Sequence, residues 1–243
     1  MTAGLLVNEV FGPVWQGEGR QTGQLAAFVR LGGCNLACGF CDTPHAVFFD
    51  TRKAKLHIEQ TAYDPKVELS RMSVEEVQEK LRGFLPRGGL VVVSGGEPLM
   101  QQATLGPLVA NLLRDGFEVA FETAGTLRPG LCNAPSVQWT VSPKLSNSGN
   151  PIDRRFKPEV LDEFNMLGAD FKFVVTSDED VAEIEHIVDL IQIPPNRTWL
   201  MPEGIDMVTV LDRGQIVAKH ALAHGWNFTL RQHILLYGNE RAR

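Results

Sequence analysis

Apolar positions fall into short runs separated by longer segments that carry helix start and stop signals. Residues 25–31, 90–93, 117–121, 137–141, 170–175 and 198–201 are brief and mostly apolar. Runs of that length predict strands, several of them buried on both faces. Between them, residues 73–84, 100–114, 158–167, 178–191 and 205–224 predict helices. Ser73-Val-Glu-Glu76 has capping-box form, with Ser at the cap and Glu three residues later. Asp115-Gly116, Gly168 and Gly225 stand where helices should stop. Strands that alternate with helices imply a parallel sheet joined by right-handed crossovers. Six strands in a chain of this length predict an α/β fold, an incomplete (β/α)6 TIM-like barrel rather than a closed eight-strand one. Residues 46–68 read as an irregular insert in which 47–49 and 56–58 pair as a hairpin. Residues 11–19 read as a glycine-rich loop, and 226–230 and 234–236 as terminal extended segments. With no linker, repeat or low-complexity tract, residues 1–243 read as one domain.

Composition narrows the function classes. The chain has 243 residues, 44% of them hydrophobic, as expected of a globular protein with a sizeable core. A net charge of −6 gives no basic excess for nucleic acid. No apolar run approaches the roughly 20 residues of a membrane span, and residues 1–9 lack the regions of a signal peptide. A reducing cytoplasm is the expected location, with the four cysteines kept as thiols.

Three of those cysteines, Cys34, Cys38 and Cys41, lie in one loop with the spacing C-x3-C-x2-C. Three thiolates can face one metal centre and leave a coordination position open, whereas four would close it. Other readings of the triplet are a structural zinc with His45 or Cys132 as fourth ligand, a disulfide with a spare thiol, and a redox pair of Cys38 and Cys41 that leaves Cys34 idle. The open iron–sulfur reading gains weight from the other segments placed like the triplet. The cysteine loop, Ser94-Gly-Gly-Glu-Pro98, Glu122-Thr-Ala-Gly-Thr126, Ser142-Pro143-Lys144 and Met201-Pro-Glu-Gly204 each come just after a predicted strand. In a parallel barrel or open α/β sheet those ends share one face, where sites are built.

Each segment carries a chemical reading and a plainer one. Ser94-Gly-Gly-Glu-Pro98 lacks the Gly-Lys-Ser/Thr ending of a phosphate-binding Walker loop. Its glycines let backbone approach a ligand, their carbonyls could accept from an ammonium, and Glu97 could add charge; alternatively it is a strand-to-helix turn. Lys144 suits a carboxylate or hydroxyl, or is a solvated loop residue. Glu122 and Thr126 contact ribose or substrate, or hold their turn. Asp42 and Thr43 offer hard oxygens for Mg2+, or a helix cap. Trp15, Gln16 and Glu18 suit a flat, hydrogen-bonding heterocycle. Arg30 could grip a substrate carboxylate bidentately, or form a structural ion pair. Cys132 reads as a lone packed or surface thiol. His57, His186, His220 and His224 read as surface or helix residues, and His233 is ambiguous.

Taken together, Cys34-x3-Cys38-x2-Cys41 and Gly95-Gly96-Glu97-Pro98 resemble the signature and methionine-binding stretch of the radical S-adenosylmethionine superfamily. Trp15-Gln16-Gly17-Glu18-Gly19, Asp42-Thr43, Glu122–Thr126, Val141–Lys144 and Gln232–Asn239 further resemble the 7-carboxy-7-deazaguanine synthase family, nearly end to end. That family makes a queuosine precursor from 6-carboxy-5,6,7,8-tetrahydropterin and releases ammonia. The resemblance implies a [4Fe-4S] cluster on Cys34, Cys38 and Cys41. It implies S-adenosylmethionine at Phe40, Cys41, Asp42, Gly96, Ser142, Pro143, Lys144, Met201, Pro202, Glu203 and Gly204. It places Mg2+ at Thr43 and the pterin at Trp15, Gln16, Gly17, Arg30 and Ser94. It also implies hydrogen abstraction by a 5′-deoxyadenosyl radical, a flavodoxin- or ferredoxin-type electron donor, and a homodimer. Residues 239–243 do not match the family's ending and are given no place in the site. Two competing functions remain open on sequence: an activase of glycyl-radical proteins, which needs an open groove, and a non-catalytic zinc-binding domain, which needs a fourth ligand.

Overall fold

The computed structural model describes residues 4–243, and its nine strands join in one sheet. In chain order they are β1 (Leu5–Trp15), β2 (Leu25–Leu31), β3 (Ser70–Met72), β4 (Leu90–Gly95), β5 (Glu118–Thr123), β6 (Val137–Val141), β7 (Asp170–Val175), β8 (Thr198–Pro202) and β9 (Asn227–Phe228). Their spatial order is β3-β1-β2-β4-β5-β6-β7-β8-β9. The six strands expected from sequence are β2 and β4 to β8, and they lie side by side and parallel. The sheet is unclosed, with β3 and β9 at its edges. The helices are α1 (Thr51–Ala54), α2 (Pro65–Glu68), α3 (Val74–Phe84), α4 (Gln102–Asp115), α5 (Ile152–Arg155), α6 (Pro158–Met166), α7 (Glu179–Ile191), α8 (Met207–His224) and α9 (Gln232–Tyr237). The Ser73–Glu76 capping box is formed in both directions, and Gly116 and Gly225 close α4 and α8 in the left-handed conformation.

Strand alternation decides what each face carries. Val29, Val91, Val93, Val119, Phe121, Trp139, Val141, Phe171 and Phe173 point outward and pack with Leu81, Leu108, Phe164 and Ile184 from the helices in the main core. The intervening positions point inward. At the lower end of the inner face, Ala26, Leu90, Val92 and Ala120 form a small apolar layer with Phe28. Toward the carboxyl ends of β2, β4, β5, β6 and β7 the inward residues are polar: Arg30, Ser94, Glu122, Thr140 and Lys172. Sequence alternation thus builds an apolar layer on β2, β4 and β5 and a polar mouth at the carboxyl ends of the strands.

Four expectations need correction. Residues 11–19 are not wholly a loop, because β1 runs on to Trp15, antiparallel to β2. Gly12-Pro13 sits at a register shift between Phe11 and Val14. β3 covers β1 only over Leu5–Val7, so Pro13 lies where the strand is an edge and needs no N–H donor. The hairpin in 46–68 is absent: α1 and α2 stand there, with Asp50 and Asp64 as side-chain caps. Residues 234–236 are helical, within α9, rather than extended. His57 is buried, not on the surface: its Nε2 lies 2.8 Å from the Cys41 carbonyl and its ring 5.0 Å from Phe48. The insert therefore packs behind the cysteine loop, where Ala46, Val47, Phe48 and Ala54 form a cluster against Cys34, Ala37 and Cys41.

Candidate active site

The loop after β2 brings Cys34, Cys38 and Cys41 to the wall of one cleft. None is disulfide-bonded. Each sulfur has a polar neighbour. The Leu36 N–H donates to Cys34 Sγ at 3.4 Å, Asn150 Nδ2 to Cys38 Sγ at 3.3 Å, and the Thr43 hydroxyl lies 3.7 Å from Cys41 Sγ. Asn150 also accepts from the Ala37 N–H at 2.8 Å, and Lys53 donates to the Cys34 carbonyl at 2.8 Å, so the loop is held from both sides. Burial pushes the Cys34 thiol up to about 11 and the Cys41 thiol up to about 12. Metal loading must therefore displace thiol protons. Neither proposed fourth zinc ligand lines this cleft. His45 faces the adjoining one, 3.9 Å from Glu9, and Cys132 is buried beside the Gln102 carbonyl. Three thiols with sulfur-directed donors and an apolar backing fit a site-differentiated [4Fe-4S] cluster.

The strand β4 leads directly onto this loop. The Gly96 N–H donates to the Leu31 carbonyl at 3.0 Å, and the Glu97 N–H to the Gly33 carbonyl at 2.9 Å. A Cβ on Gly96 would sit 1.9 Å from the Gly33 oxygen. The glycine is needed for contact between β4 and the cysteine loop, a packing role in addition to its place in the cleft wall. Gly96→Ala is expected to destabilise the fold by about 1–3 kcal/mol through overpacking and to lower iron bound per chain. Gly83→Ala, in α3 with nothing within 4 Å of its Cβ, serves as control and should be neutral or stabilising by about 0.5–1 kcal/mol. Urea unfolding and iron assay read both. Glu97 turns inward rather than toward a ligand: it accepts from Thr123 Oγ1 at 2.8 Å, Ala124 N–H at 2.9 Å and Leu99 N–H at 3.1 Å.

Most residues expected at the cofactor line the cysteine cleft: Phe40, Cys41, Asp42, Gly96, Ser142, Lys144, Met201 and Glu203. Lys144 points inward, its Nζ 2.8 Å from Ser142 Oγ. Pro143, Pro202 and Gly204 do not line it, although the Gly204 carbonyl accepts from Arg231. Trp15, Gln16, Gly17 and Arg30 line a second cleft that adjoins the first. The two share Glu18, Asp42, Thr43, Ser94, Gly95, Glu122 and Arg231. Arg30 is the register partner of Ser94 and also pairs with Glu9 at 3.0 Å, so the plainer reading of Arg30 holds as well. Residues 239–243, left outside the site on sequence, line this second cleft.

A buried charge network spans the junction. Lys172 Nζ is 2.5 Å from Glu18 Oε2 and 3.8 Å from Glu122 Oε1. Arg231 Nε lies 2.9 Å from Glu18 Oε1, and the same guanidinium pairs with Asp42. Gln16 Nε2 and Ser94 Oγ both donate to Glu122, at 3.1 and 2.9 Å. Burial alone would raise Glu18, but Lys172 and Arg231 outweigh it and hold this carboxyl well below its usual range. Burial is also the largest influence on His233, and it keeps the imidazole below its ordinary value. Lys172, Arg231 and Asn150 were not singled out from sequence. Lys172 had a readable signal, a lone lysine inside the apolar run Asp-Phe-Lys-Phe-Val-Val. Arg231 and Asn150 lie in irregular chain and had none.

A mostly parallel, unclosed sheet with three thiols beside a Gly-Gly-Glu-Pro turn defines a radical S-adenosylmethionine enzyme, and the Radical SAM superfamily matches residues 28–134. Such enzymes bind a [4Fe-4S] cluster and S-adenosylmethionine. The chain is 34% identical to 7-carboxy-7-deazaguanine synthase of Hyperthermus butylicus, across 96% of this chain and 92% of that one. It is 34% identical to the synthase of Pyrobaculum aerophilum, across 98% and 96%. The crystal structure of QueE from Escherichia coli superposes with a TM-score of 0.72 at 26% identity, covering 95% of each chain. The chain belongs to the 7-carboxy-7-deazaguanine synthase family.

Proposed function

We propose that this enzyme converts 6-carboxy-5,6,7,8-tetrahydropterin to 7-carboxy-7-deazaguanine with release of ammonia, in the biosynthesis of queuosine and related 7-deazapurines. The observation that carries this reading is the pair of adjoining clefts. One holds the three thiols with Phe40, Gly96, Ser142 and Lys144; the other holds Trp15, Gln16 and Arg30; and Ser94 and Glu122 belong to both. Cys34, Cys38 and Cys41 hold the cluster. When bound, cluster and S-adenosylmethionine together supply a 5′-deoxyadenosyl radical by one-electron cleavage.

The chain's own residues then have to place the pterin and keep other hydrogen donors away. Trp15, Gln16 and Gly17 flank the ring, Arg30 grips the carboxylate and Ser94 contacts the ring from the shared wall. Glu122, held by Lys172, Gln16 and Ser94, presents a fixed acceptor beside it. Thr43, with Asp42 next to it, would hold Mg2+ through hard oxygens, and the ion would supply positive charge to the same carboxylate. Thr43→Ala should raise the Mg2+ concentration needed for half-maximal rate about tenfold or more, an effect read at matched iron content because the same hydroxyl lies beside Cys41 Sγ; an unaltered requirement removes Thr43 from the metal. The same reading takes residues 1–243 as one catalytic domain, working as a homodimer in a reducing cytoplasm and reduced by a flavodoxin- or ferredoxin-type donor. Among the described residues no helix is long and apolar enough to cross a membrane.

The test is an anaerobic assay of reconstituted enzyme with S-adenosylmethionine, Mg2+, a strong reductant and carboxytetrahydropterin, with products identified by mass spectrometry. 7-Carboxy-7-deazaguanine is expected. Formation of 5′-deoxyadenosine without that product would overturn the substrate assignment and leave the superfamily intact.

A further inference from the structure

After α9 the chain turns at Gly238 (φ 64°) and residues 239–243 come back along the second cleft, beside Glu9, Arg30 and His45. One side chain fastens this return. Arg241 Nε lies 3.0 Å from Glu9 Oε1, and its Nη2 lies 2.9 Å from Glu68 Oε2. Glu9 stands on β1 and Glu68 in α2 of the insert, so a single guanidinium joins the chain's end, the sheet and the insert. Both carboxylates are largely buried, at 16% and 13% side-chain exposure. A guanidinium fork can hold two such oxygens at once where a point charge cannot.

Glu9 is shared. Its second oxygen, Oε2, accepts from Arg30 Nε at 3.0 Å. The same oxygen is 3.9 Å from His45 Nε2, too far for a hydrogen bond. His45 is 7% exposed, and its Nε2 is buried with no hydrogen-bond partner. A buried ring nitrogen with no partner is costly, and one other arrangement of these side chains would supply a partner. That arrangement is at hand. An anion that drew the Arg30 guanidinium off Glu9 would vacate Oε2, which could then accept from His45 in its Nε2–H tautomer. Glu9 can stay in place through this exchange only if something holds its other oxygen.

We propose that Arg241 is a positioning residue: by clasping Glu9 and Glu68 it holds residues 239–243 over the cleft and keeps Glu9 in place when Arg30 turns to the carboxylate of an anionic pterin. This rests on the proposed pterin substrate. Arg241 acts through Glu9 and is not assigned contact with the reacting atoms. His45 is the alternate partner that makes the exchange reversible.

The test separates carboxylate recognition from general integrity. Calorimetric titration of the cluster-loaded enzyme would compare carboxytetrahydropterin with the 6-methyl pterin that lacks the carboxylate. Arg241→Ala should weaken binding of the acid about tenfold and leave the 6-methyl compound unchanged. Arg241→Lys should recover part of the loss, and Glu68→Gln should fall between. In turnover, KM for the acid should rise while kcat and KM for S-adenosylmethionine stay within about twofold. Equal weakening of both pterins, or no weakening of either, would overturn the clasp. A wild-type enzyme that binds the acid without converting it would sink the substrate reading instead, and the clasp would still be judged by the binding comparison.

Discussion

Cys38→Ala is expected to yield a folded protein with no stable [4Fe-4S] cluster and no detectable turnover. The thiol is one of three, all in one loop, and no other cysteine lines the cleft. The loop itself does not depend on that sulfur, since Lys53 and Asn150 tie its backbone. Circular dichroism should therefore be near wild type while iron and sulfide content collapse. The graded companion is Asn150→Ala, which removes the donor 3.3 Å from Cys38 Sγ and the acceptor of the Ala37 N–H. Residues that orient a metal ligand typically cost about 10–100-fold in affinity or activity when lost, so this variant should retain measurable turnover. A Cys38→Ala enzyme that keeps full iron and activity would contradict the ligand assignment.

Arg231→Met carries the second large effect. Arg231 is 5% exposed and is shared by Glu18, Asp42 and the Gly204 carbonyl. Removing one partner of a buried ion pair costs about 3–5 kcal/mol, mostly from the charge left behind. Lys172 still serves Glu18, and the Asp42 side chain is 45% exposed, so a loss of about 3 kcal/mol is expected. The pH dependence has a definite sign. In the wild type Glu18 is depressed, so its contribution is present above the ordinary Glu value of about 4.3 and is lost as pH falls through the lower folded value. In the variant burial is less opposed and the folded value of the carboxyl rises, so the deficit is full near pH 7 and shrinks as pH falls through about 4.3. Urea unfolding of the two proteins across that range measures it. A deficit that grows on acidification would be the wrong sign. Activity should fall as well, since Asp42 beside Cys41 loses its tether.

The six parallel strands were legible because both-face burial writes short apolar runs, and in a parallel sheet the ends of such runs share one face. The three thiols and the Gly-Gly-Glu-Pro turn were legible for the same positional reason. What escaped has physical causes. β1 was hidden by Gly12-Pro13, which reads as a turn yet is absorbed by a register shift at an edge. α1 and α2 are single-turn helices set by the Asp50 and Asp64 caps rather than by periodicity. His57 was placed at the surface because nothing local shows that Phe48 and the Cys41 carbonyl enclose it. Arg231 meets Glu18 across 213 positions of sequence, a pairing no local pattern carries. Gly96 carries a second role that its motif does not show: its bareness also serves the approach of β4 to Gly33.

The most direct test of the two-cleft arrangement is an anaerobic crystal structure of reconstituted enzyme with S-adenosylmethionine and carboxytetrahydropterin, with data collected at the iron absorption edge. The expected result is a cluster bound by Cys34, Cys38 and Cys41 and a cofactor against Gly96, Ser142 and Lys144. The pterin should lie between Trp15 and Arg30, with its carboxylate toward Arg30 and Thr43. A single non-iron metal on the three thiols, or a pterin seated away from Arg30, would contradict it.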